Sequence, residues 1–238
     1  MKIIVSDTPR ELGQAAARLA AEYLNELIDK NGYARIVVST GASQFETFEA
    51  LIASVIDWSK VEMFHLDEYA GLPESHPASF RKYLKERFFS KVHLLAANFV
   101  DGSAEGIIEI SKKLLEKPVN LGFIGIGENG HIAFNDPPAD FETKDPYIMV
   151  NLNATCKKQQ VGEGWFATVE DVPKQAVSMS VFQIMQCKKI ISCVPHAVKA
   201  KAVADTINSD PTNLIPATIL KTHPDWTLLL DKNSAALF

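Results

Sequence analysis

The sequence lacks several features that would assign this 238-residue chain to a specialised class of protein. Its three cysteines, Cys156, Cys187 and Cys193, form no C-x-x-C pair, which argues against a disulfide framework or a zinc site and favours reduced thiols. No apolar segment approaches the length of a membrane span, and the apolar run near the N-terminus is too short for a signal peptide. We therefore expect a cytoplasmic protein without a membrane partner.

Positive charge is also in short supply. The 24 Lys and Arg residues are outnumbered by 29 Asp and Glu residues, which gives a formal net charge of −5. The chain therefore has no global positive field of the kind that attracts nucleic acid or an anionic membrane. We expect no nucleic-acid partner, and an anionic ligand must be bound by a local arrangement of residues.

What the sequence does contain is an alternation of short β-rich runs and segments of helical periodicity, without a linker or a repeat. Strands are predicted over residues 3–5, 35–39, 61–66, 119–126, 147–152, 176–180, 189–194 and 226–230. Helices are predicted from residues 7–9 to about residue 27 and over residues 44–56, 79–89, 104–115 and 197–207. Residues 136–145 are predicted to be a loop, and residues 154–172 are a candidate lid.

This alternation implies right-handed βαβ crossovers between strands. We predict a single α/β domain over residues 1–238, with an open, mainly parallel Rossmann-like sheet and helices on both faces.

A glycine-rich segment, Gly125-Ile-Gly-Glu-Asn-Gly-His-Ile-Ala-Phe-Asn-Asp136, follows the predicted strand 119–126. Its G-x-G-x-x-G pattern is that of a dinucleotide site, which also needs a helix at the third glycine and an acid about 20 residues further on. Pro137 and Pro138 disfavour such a helix. We interpret the segment as a turn that lets a small ligand approach, with His131 and Asp136 at a strand end; a histidine satisfied by a nearby carbonyl is the simpler alternative.

Three further segments stand at predicted strand ends. Asp67 and Glu68 follow strand 61–66, where one carboxylate could be a general base or Asp67 could cap a turn. Residues 40–43 lie between a strand and a helix, a setting that suits a phosphate monoester or an ordinary N-cap by Ser43. Lys199 opens the helix 197–207 and either reaches the same phosphate or lies on the surface.

In this order, the four segments resemble the glucosamine-6-phosphate deaminase (isomerase) family of the sugar-phosphate isomerase and 6-phosphogluconolactonase superfamily. The resemblance covers nearly the whole chain and is most specific at Leu66-Asp-Glu-Tyr69 and at Gly125-x-Gly-x-x-Gly-His-Ile-Ala-Phe-Asn135. It implies conversion of an amino-sugar phosphate and water to a ketose phosphate and ammonia, from glucosamine 6-phosphate to fructose 6-phosphate, with no metal or organic cofactor.

The resemblance also implies roles for single residues. Asp67 matches the aspartate that moves a proton between C2 and C1, and His131 matches the histidine that assists ring opening. Asp136 falls where the family usually has a glutamate that partners this histidine, and Asn129 falls where members have aspartate or asparagine. The expected substrate-binding residues are Thr40, Gly41, Ala42, Ser43, Glu68, Gly130 and Lys199.

Two departures from the family pattern leave alternatives open. Asp136 is one methylene shorter than glutamate, and the segment Gly162-Glu-Gly-Trp-Phe166 lacks the arginine that many members use for the phosphate. A 6-phosphogluconolactonase-type hydrolase, a galactosamine-6-phosphate deaminase and a sugar-phosphate-sensing module are the alternatives. Tyr69 and residues 133–135 favour the deaminase. A homo-oligomer is also left open.

Overall fold

The computed structural model describes all residues, 1–238, and its centre is a seven-stranded sheet whose strands all run parallel. The ten strands of the chain are β1 (Lys2–Ser6), β2 (Ala34–Val38), β3 (Val61–His65), β4 (Asp67–Tyr69), β5 (Ala96–Asn98), β6 (Leu121–Phe123), β7 (Tyr147–Asn151), β8 (Gln175–Met179), β9 (Lys189–Val194) and β10 (Trp226–Asp231). The seven α-helices are α1 (Pro9–Asn31), α2 (Phe45–Ile52), α3 (Phe80–Arg87), α4 (Ala104–Leu115), α5 (Ala154–Gly162), α6 (Val181–Met185) and α7 (Ala200–Asn208).

The order of strands in the parallel sheet determines where a ligand can bind. The order is β1-β10-β9-β6-β2-β3-β5, so the chain builds outward from β2 in one direction and from β6 in the other. Open α/β sheets bind ligands at the carboxyl ends of strands where the order reverses. In this sheet the reversal lies between β2 and β6, which pair from Ile36 with Leu121 to Val38 with Phe123.

Both faces of the parallel sheet are covered, as the sequence predicts. Along β2, Ile36 and Val38 belong to one apolar cluster with residues of α1, α2 and α3, whereas Val37 belongs to a second cluster with residues of α4, α6 and α7. Strands buried on both faces need apolar residues at consecutive positions. The predicted fold class is therefore confirmed.

A second, antiparallel sheet has the order β4-β8-β7 and stands beside the main one. Two predicted strands, near residues 147–152 and 176–180, belong to this small sheet and not to the parallel one. The strand β4 places Asp67 opposite Ser178. Asp67 therefore sits on a paired backbone rather than on a free loop.

Local signals account for several element boundaries. Thr8 and Glu11 form a reciprocal capping box at the start of α1, Pro9 occupies the first turn, and Gly32 ends the helix at φ 78°. Helix α5 lies inside the segment predicted to be a lid. None of the helices combines the length and the apolar composition that crossing a membrane requires.

Candidate active site

A cavity opens at the carboxyl ends of β2, β6 and β9, next to β4. Several of the residues that the sequence singles out line it together: Thr40, Gly41, Ala42, Ser43, Asp67, His131 and Lys199. These residues lie up to about 160 positions apart in the chain, and the strand order brings them to one place. The cavity therefore lies at the carboxyl ends of the strands, where the sequence predicts a site.

One wall of the cavity is the turn of residues 40–43 between β2 and α2. Gly41 adopts φ 105°, and its carbonyl accepts a hydrogen bond of 2.8 Å from the Tyr83 hydroxyl. The side chain of Gln44 donates to the Cys193 carbonyl at 3.1 Å, which ties this turn to the end of β9. The first N–H groups of a helix have no intrahelical acceptor, so the turn presents donors that suit an anion.

Lys199 contributes a cation to the same cavity. Its residue surface is only 7% exposed, yet its ammonium group makes no hydrogen bond and no ion pair within the chain. Burial lowers the pKa of Lys199, and the carboxylates of Glu163 and Glu128 act in the opposite direction. A buried and unpaired ammonium group in a cavity is a group that a bound anion would satisfy.

The position of His131 is fixed by two neighbours. Its backbone N–H donates to Asn129 Oδ1 at 3.1 Å, which sets the orientation of the Asn129 amide. The same Oδ1 lies 2.6 Å from His131 Nδ1, and Asp136 Oδ1 lies 3.4 Å from Nδ1. Because both neighbours are acceptors, Nδ1 must carry the proton. The free lone pair is therefore on Nε2.

Asn129 and Asp136 act on this histidine from behind, because neither lines the cavity. The Asn129 amide donates to Asp136 Oδ1 at 3.2 Å and so joins the two groups. Burial lowers the pKa of His131, and although Asp136 acts in the opposite direction, the ring stays neutral near pH 7. A neutral imidazole with a free Nε2 can accept a proton from a ligand.

Gly127 makes room for the histidine ring. A methyl group at this position would stand 2.1 to 2.4 Å from the His131 Cε1, Nδ1 and Nε2 atoms. The middle glycine of G-x-G-x-x-G thus accommodates a side chain of the same chain. No helix opens at the third glycine, so the geometry of a dinucleotide site is not formed.

Asp67 is the carboxyl group that faces the cavity. It is 6% exposed, and its side chain accepts no hydrogen bond from the chain. Burial raises the pKa of Asp67 to about 8, and the neighbouring Glu68 adds to the shift. A carboxyl group that titrates near neutral pH in a cavity is suited to moving protons.

The structure corrects the expectation that Glu68 binds substrate. Glu68 is fully buried and points away from the cavity. Its carboxylate accepts hydrogen bonds from the N–H groups of Tyr69, Phe80 and Arg81, from the Ser79 hydroxyl and from Arg81 Nε. Residues two apart on a strand share a face and neighbours do not, so Asp67 and Glu68 diverge.

Gly130 also lies outside the cavity, contrary to expectation. It adopts φ 79°, and its carbonyl accepts a hydrogen bond of 2.8 Å from the Ala217 N–H. A methyl group here would meet Ile215 Cγ2 at 2.8 Å. Gly130 therefore allows the turn to pack against residues 215–217.

Several lining residues were not predicted from the sequence: Glu128, Gln159, Gln160, Glu163, Trp165 and His196. Four of them come from α5 and the turn after it, within the segment predicted to be a lid. Tyr69 donates to Gln160 at 2.5 Å and so joins α5 to β4. In the whole chain, no group of three or more His, Cys, Asp or Glu side chains is arranged to hold a metal ion.

Known proteins resemble this chain over nearly its whole length. The family model of glucosamine-6-phosphate isomerases/6-phosphogluconolactonase matches residues 7–229. The glucosamine-6-phosphate deaminase of Lactobacillus delbrueckii subsp. bulgaricus is 32% identical over 241 residues, covering 100% of this chain and 99% of its own. That of Thermoanaerobacter pseudethanolicus is 32% identical, covering 100% of this chain and 95% of its own.

Solved structures share the same architecture. A monomeric glucosamine-6-phosphate deaminase superposes with a TM-score of 0.90 at 28% identity, covering 100% of both chains. A 6-phosphogluconolactonase from Shewanella baltica superposes with a TM-score of 0.79 at 20% identity, covering 97% of each chain, which is a likeness of fold.

Proposed function

The chain belongs to the family of glucosamine-6-phosphate isomerases and 6-phosphogluconolactonases, and we propose that it is a deaminating isomerase of an amino-sugar phosphate. In the proposed reaction, glucosamine 6-phosphate and water give fructose 6-phosphate and ammonia. The observation that carries this proposal is that Asp67, His131 and Lys199 line one cavity. They supply a titratable carboxyl, a neutral imidazole and an unpaired cation.

The phosphate would bind between the turn of residues 40–43 and Lys199. The start of a helix and a buried ammonium group both favour negative charge. The other end of the cavity then receives the sugar carbons, next to Asp67 and His131. Binding energy from the phosphate thereby orients the reacting end of the substrate.

His131 would open the pyranose ring. Its Nε2 takes the proton of the C1 hydroxyl, and the resulting imidazolium is stabilised by Asn129 and Asp136 at Nδ1. The same proton is then given to the ring oxygen as the C1–O5 bond breaks, which yields the open-chain aldehyde. The imidazole thus acts first as a base and then as an acid through the same nitrogen atom.

Asp67 would carry out the isomerisation. Its carboxylate removes the proton from C2 while O1 takes a proton from the ammonium group of the substrate, which forms an enolamine. Protonated Asp67 then returns the first proton to C1, which leaves a protonated imine at C2. Water adds to this carbon, ammonia leaves and the ketone of fructose 6-phosphate remains. General acid–base catalysis of this kind contributes about 100- to 10,000-fold.

The test is an assay of ammonia release by the purified protein with glucosamine 6-phosphate and with galactosamine 6-phosphate. We expect turnover of the gluco substrate and its loss in Asp67→Asn. The matched control is Asp210→Asn, because Asp210 is exposed and makes no hydrogen bond or ion pair. If neither amino sugar releases ammonia, the proposal is wrong.

A lactone-hydrolysis assay with 6-phosphogluconolactone tests the second candidate, which shares the fold. Hydrolysis of the lactone without release of ammonia would assign the chain to the lactonase branch of its family. Tyr69 and residues 133–135 lead us to expect the opposite result.

A further inference from the structure

His196 holds a backbone conformation that few residues tolerate. It adopts φ 80° and ψ 144°, near a region that glycine populates and L side chains avoid. Only one other non-glycine residue of the chain, Ala133, has a positive φ, and both residues line the cavity. Strain of this kind is concentrated at functional sites, where surrounding contacts maintain it.

The hydrogen bonds that hold this conformation involve only the backbone of His196. Its N–H donates to Asp231 Oδ1 at 3.1 Å, and its carbonyl accepts from the Lys199 N–H at 3.0 Å. Asp231 is fully buried, and its Oδ1 also accepts from the Ser234 N–H at 2.8 Å. A glycine would make the same two backbone bonds without strain, so the turn itself does not require a histidine.

The side chain of His196, and not its backbone, must then explain why a histidine occupies this position. The imidazole makes no hydrogen bond within the chain, although the residue is half-buried and lines the cavity. It stands three positions before Lys199 on one short turn that follows β9. The turn of residues 40–43 lines the same cavity, and the adjacent Gln44 donates a hydrogen bond to the carbonyl of Cys193 near the end of β9.

The charges near Lys199 call for a second donor. Glu128 and Glu163 also line the cavity, and their carboxylates offset the charge of Lys199. A phosphate monoester carries close to two negative charges near pH 7. An additional N–H donor beside Lys199 would compensate for these carboxylates.

We propose that His196 binds the phosphoryl group of the substrate together with Lys199. This inference rests on the proposed function, because it takes the phosphate to lie between Lys199 and the turn of residues 40–43. The imidazole N–H donates to a phosphate oxygen, and the strained backbone is retained because it aims the ring at that oxygen.

The experiment measures binding of inorganic phosphate by calorimetry and the melting temperature of each protein without ligand. The variants are His196→Gly, His196→Asn and Lys199→Ala, and the matched control is His93→Asn, since His93 is exposed and makes no hydrogen bond. We expect His196→Gly and His196→Asn to weaken phosphate binding about tenfold, the usual effect of losing one hydrogen bond to a charged group. The melting temperature of His196→Gly should equal or exceed that of the parent, because the strain is relieved.

Turnover gives a second measure. With glucosamine 6-phosphate, the His196 variants should raise KM about tenfold and change kcat by less than about threefold, the signature of binding made equally in the ground and transition states. If His196 served only the fold, its substitution would change neither KM nor kcat of the folded protein.

The outcomes separate the two proposals. If Lys199→Ala leaves phosphate binding unchanged, the proposed phosphate site is wrong. If Lys199→Ala weakens binding and His196→Gly does not, the role of His196 is refuted and the proposed function stands.

Discussion

At the scale of the residue, the central fact is that two neighbouring carboxyl groups have opposite surroundings. Glu68 receives five hydrogen bonds in the interior. Asp67 receives none and faces the cavity. The chain therefore satisfies the carboxylate of Glu68 and leaves the Asp67 carboxyl available to a ligand in the cavity.

The first prediction concerns the pH dependence of kcat/KM. As a base, Asp67 must be ionised, and burial raises its pKa to about 8. We therefore expect kcat/KM to fall as the pH drops below about 8, approaching tenfold per pH unit. Steady-state kinetics from pH 6 to 9.5 provide the measurement, and a flat profile over this range would count against Asp67 as the base.

A second prediction concerns the proton on His131. Asn129→Asp places a negative charge 2.6 Å from Nδ1, where the amide oxygen now stands. An added negative charge favours the imidazolium, so the pKa of His131 should rise from its present lowered value. Titration of the imidazole by NMR measures it, with Asn208→Asp as the exposed control. An unchanged His131 titration in Asn129→Asp would contradict the hydrogen bond inferred for Nδ1.

At the scale of the element, the turn after β6 and the helix α5 form parts of the cavity wall. The turn accommodates the His131 ring above Gly127, and α5 supplies Gln159, Gln160 and the residues that follow. Neither contribution depends on an unusual helix or strand. The position of the His131 ring depends on its close approach to the backbone of Gly127.

The third prediction uses this close approach. Gly127→Ala would put a methyl group into the volume of the His131 ring and displace it. We expect at least a 100-fold loss of kcat, the scale of general acid–base catalysis. The control is Gly162→Ala, because a methyl group at Gly162 meets nothing within 4 Å. Equal activity of the two variants would show that His131 tolerates a shifted ring.

Much of this element-scale organisation could be predicted, because burial on both faces leaves apolar runs in the sequence. Six of the seven strands of the parallel sheet were predicted from such runs, and the turn before His131 was predicted from its glycines. The edge strand Ala96–Asn98 could not be predicted, since its small and polar residues lack β propensity. That α5 lines the cavity could not be predicted either. A helix that lines a cavity has polar residues at positions where a core helix has apolar ones.

Site residues were predictable to the extent that they lie in the segment that follows a strand of the parallel sheet. Asp67, His131 and Lys199 do so, and they meet in the cavity. Glu68 follows the same strand, but pairing of β4 with β8 turns it inward, a contact between positions more than 100 residues apart. His196 gives no local signal, because its strain is visible only in the backbone angles.

At the scale of the whole molecule, the site has a cost in stability at high pH, which is the fourth prediction. The pKa of Asp67 is raised in the folded state, so its contribution to stability is complete below the pKa of an unfolded aspartate and is lost as the pH rises through about 8. Asp67→Asn cannot ionise. We expect its melting temperature to exceed that of the parent at pH 9, and to exceed it by less at pH 6, where only part of the stabilisation by protonated Asp67 has been lost.

Thermal unfolding of both proteins at the two pH values is the measurement, with Asp210→Asn as the control. A melting temperature difference that is the same at pH 6 and pH 9 would mean that ionisation of Asp67 is not the cause.

The pairing of β1 with β10 has a consequence for the time course of synthesis. The strand nearest the N-terminus lies between solvent and the strand made last, from Lys2 beside Thr227 to Ser6 beside Asp231. During translation β1 has no neighbour to pair with, and the flank of β9 stays open until β10 leaves the ribosome. Asp231, which holds the strained turn at His196, arrives with that same strand. A chain that lacks β10 should therefore contain Asp67, His131 and Lys199 but leave the backbone N–H of His196 without the Asp231 acceptor that holds its turn.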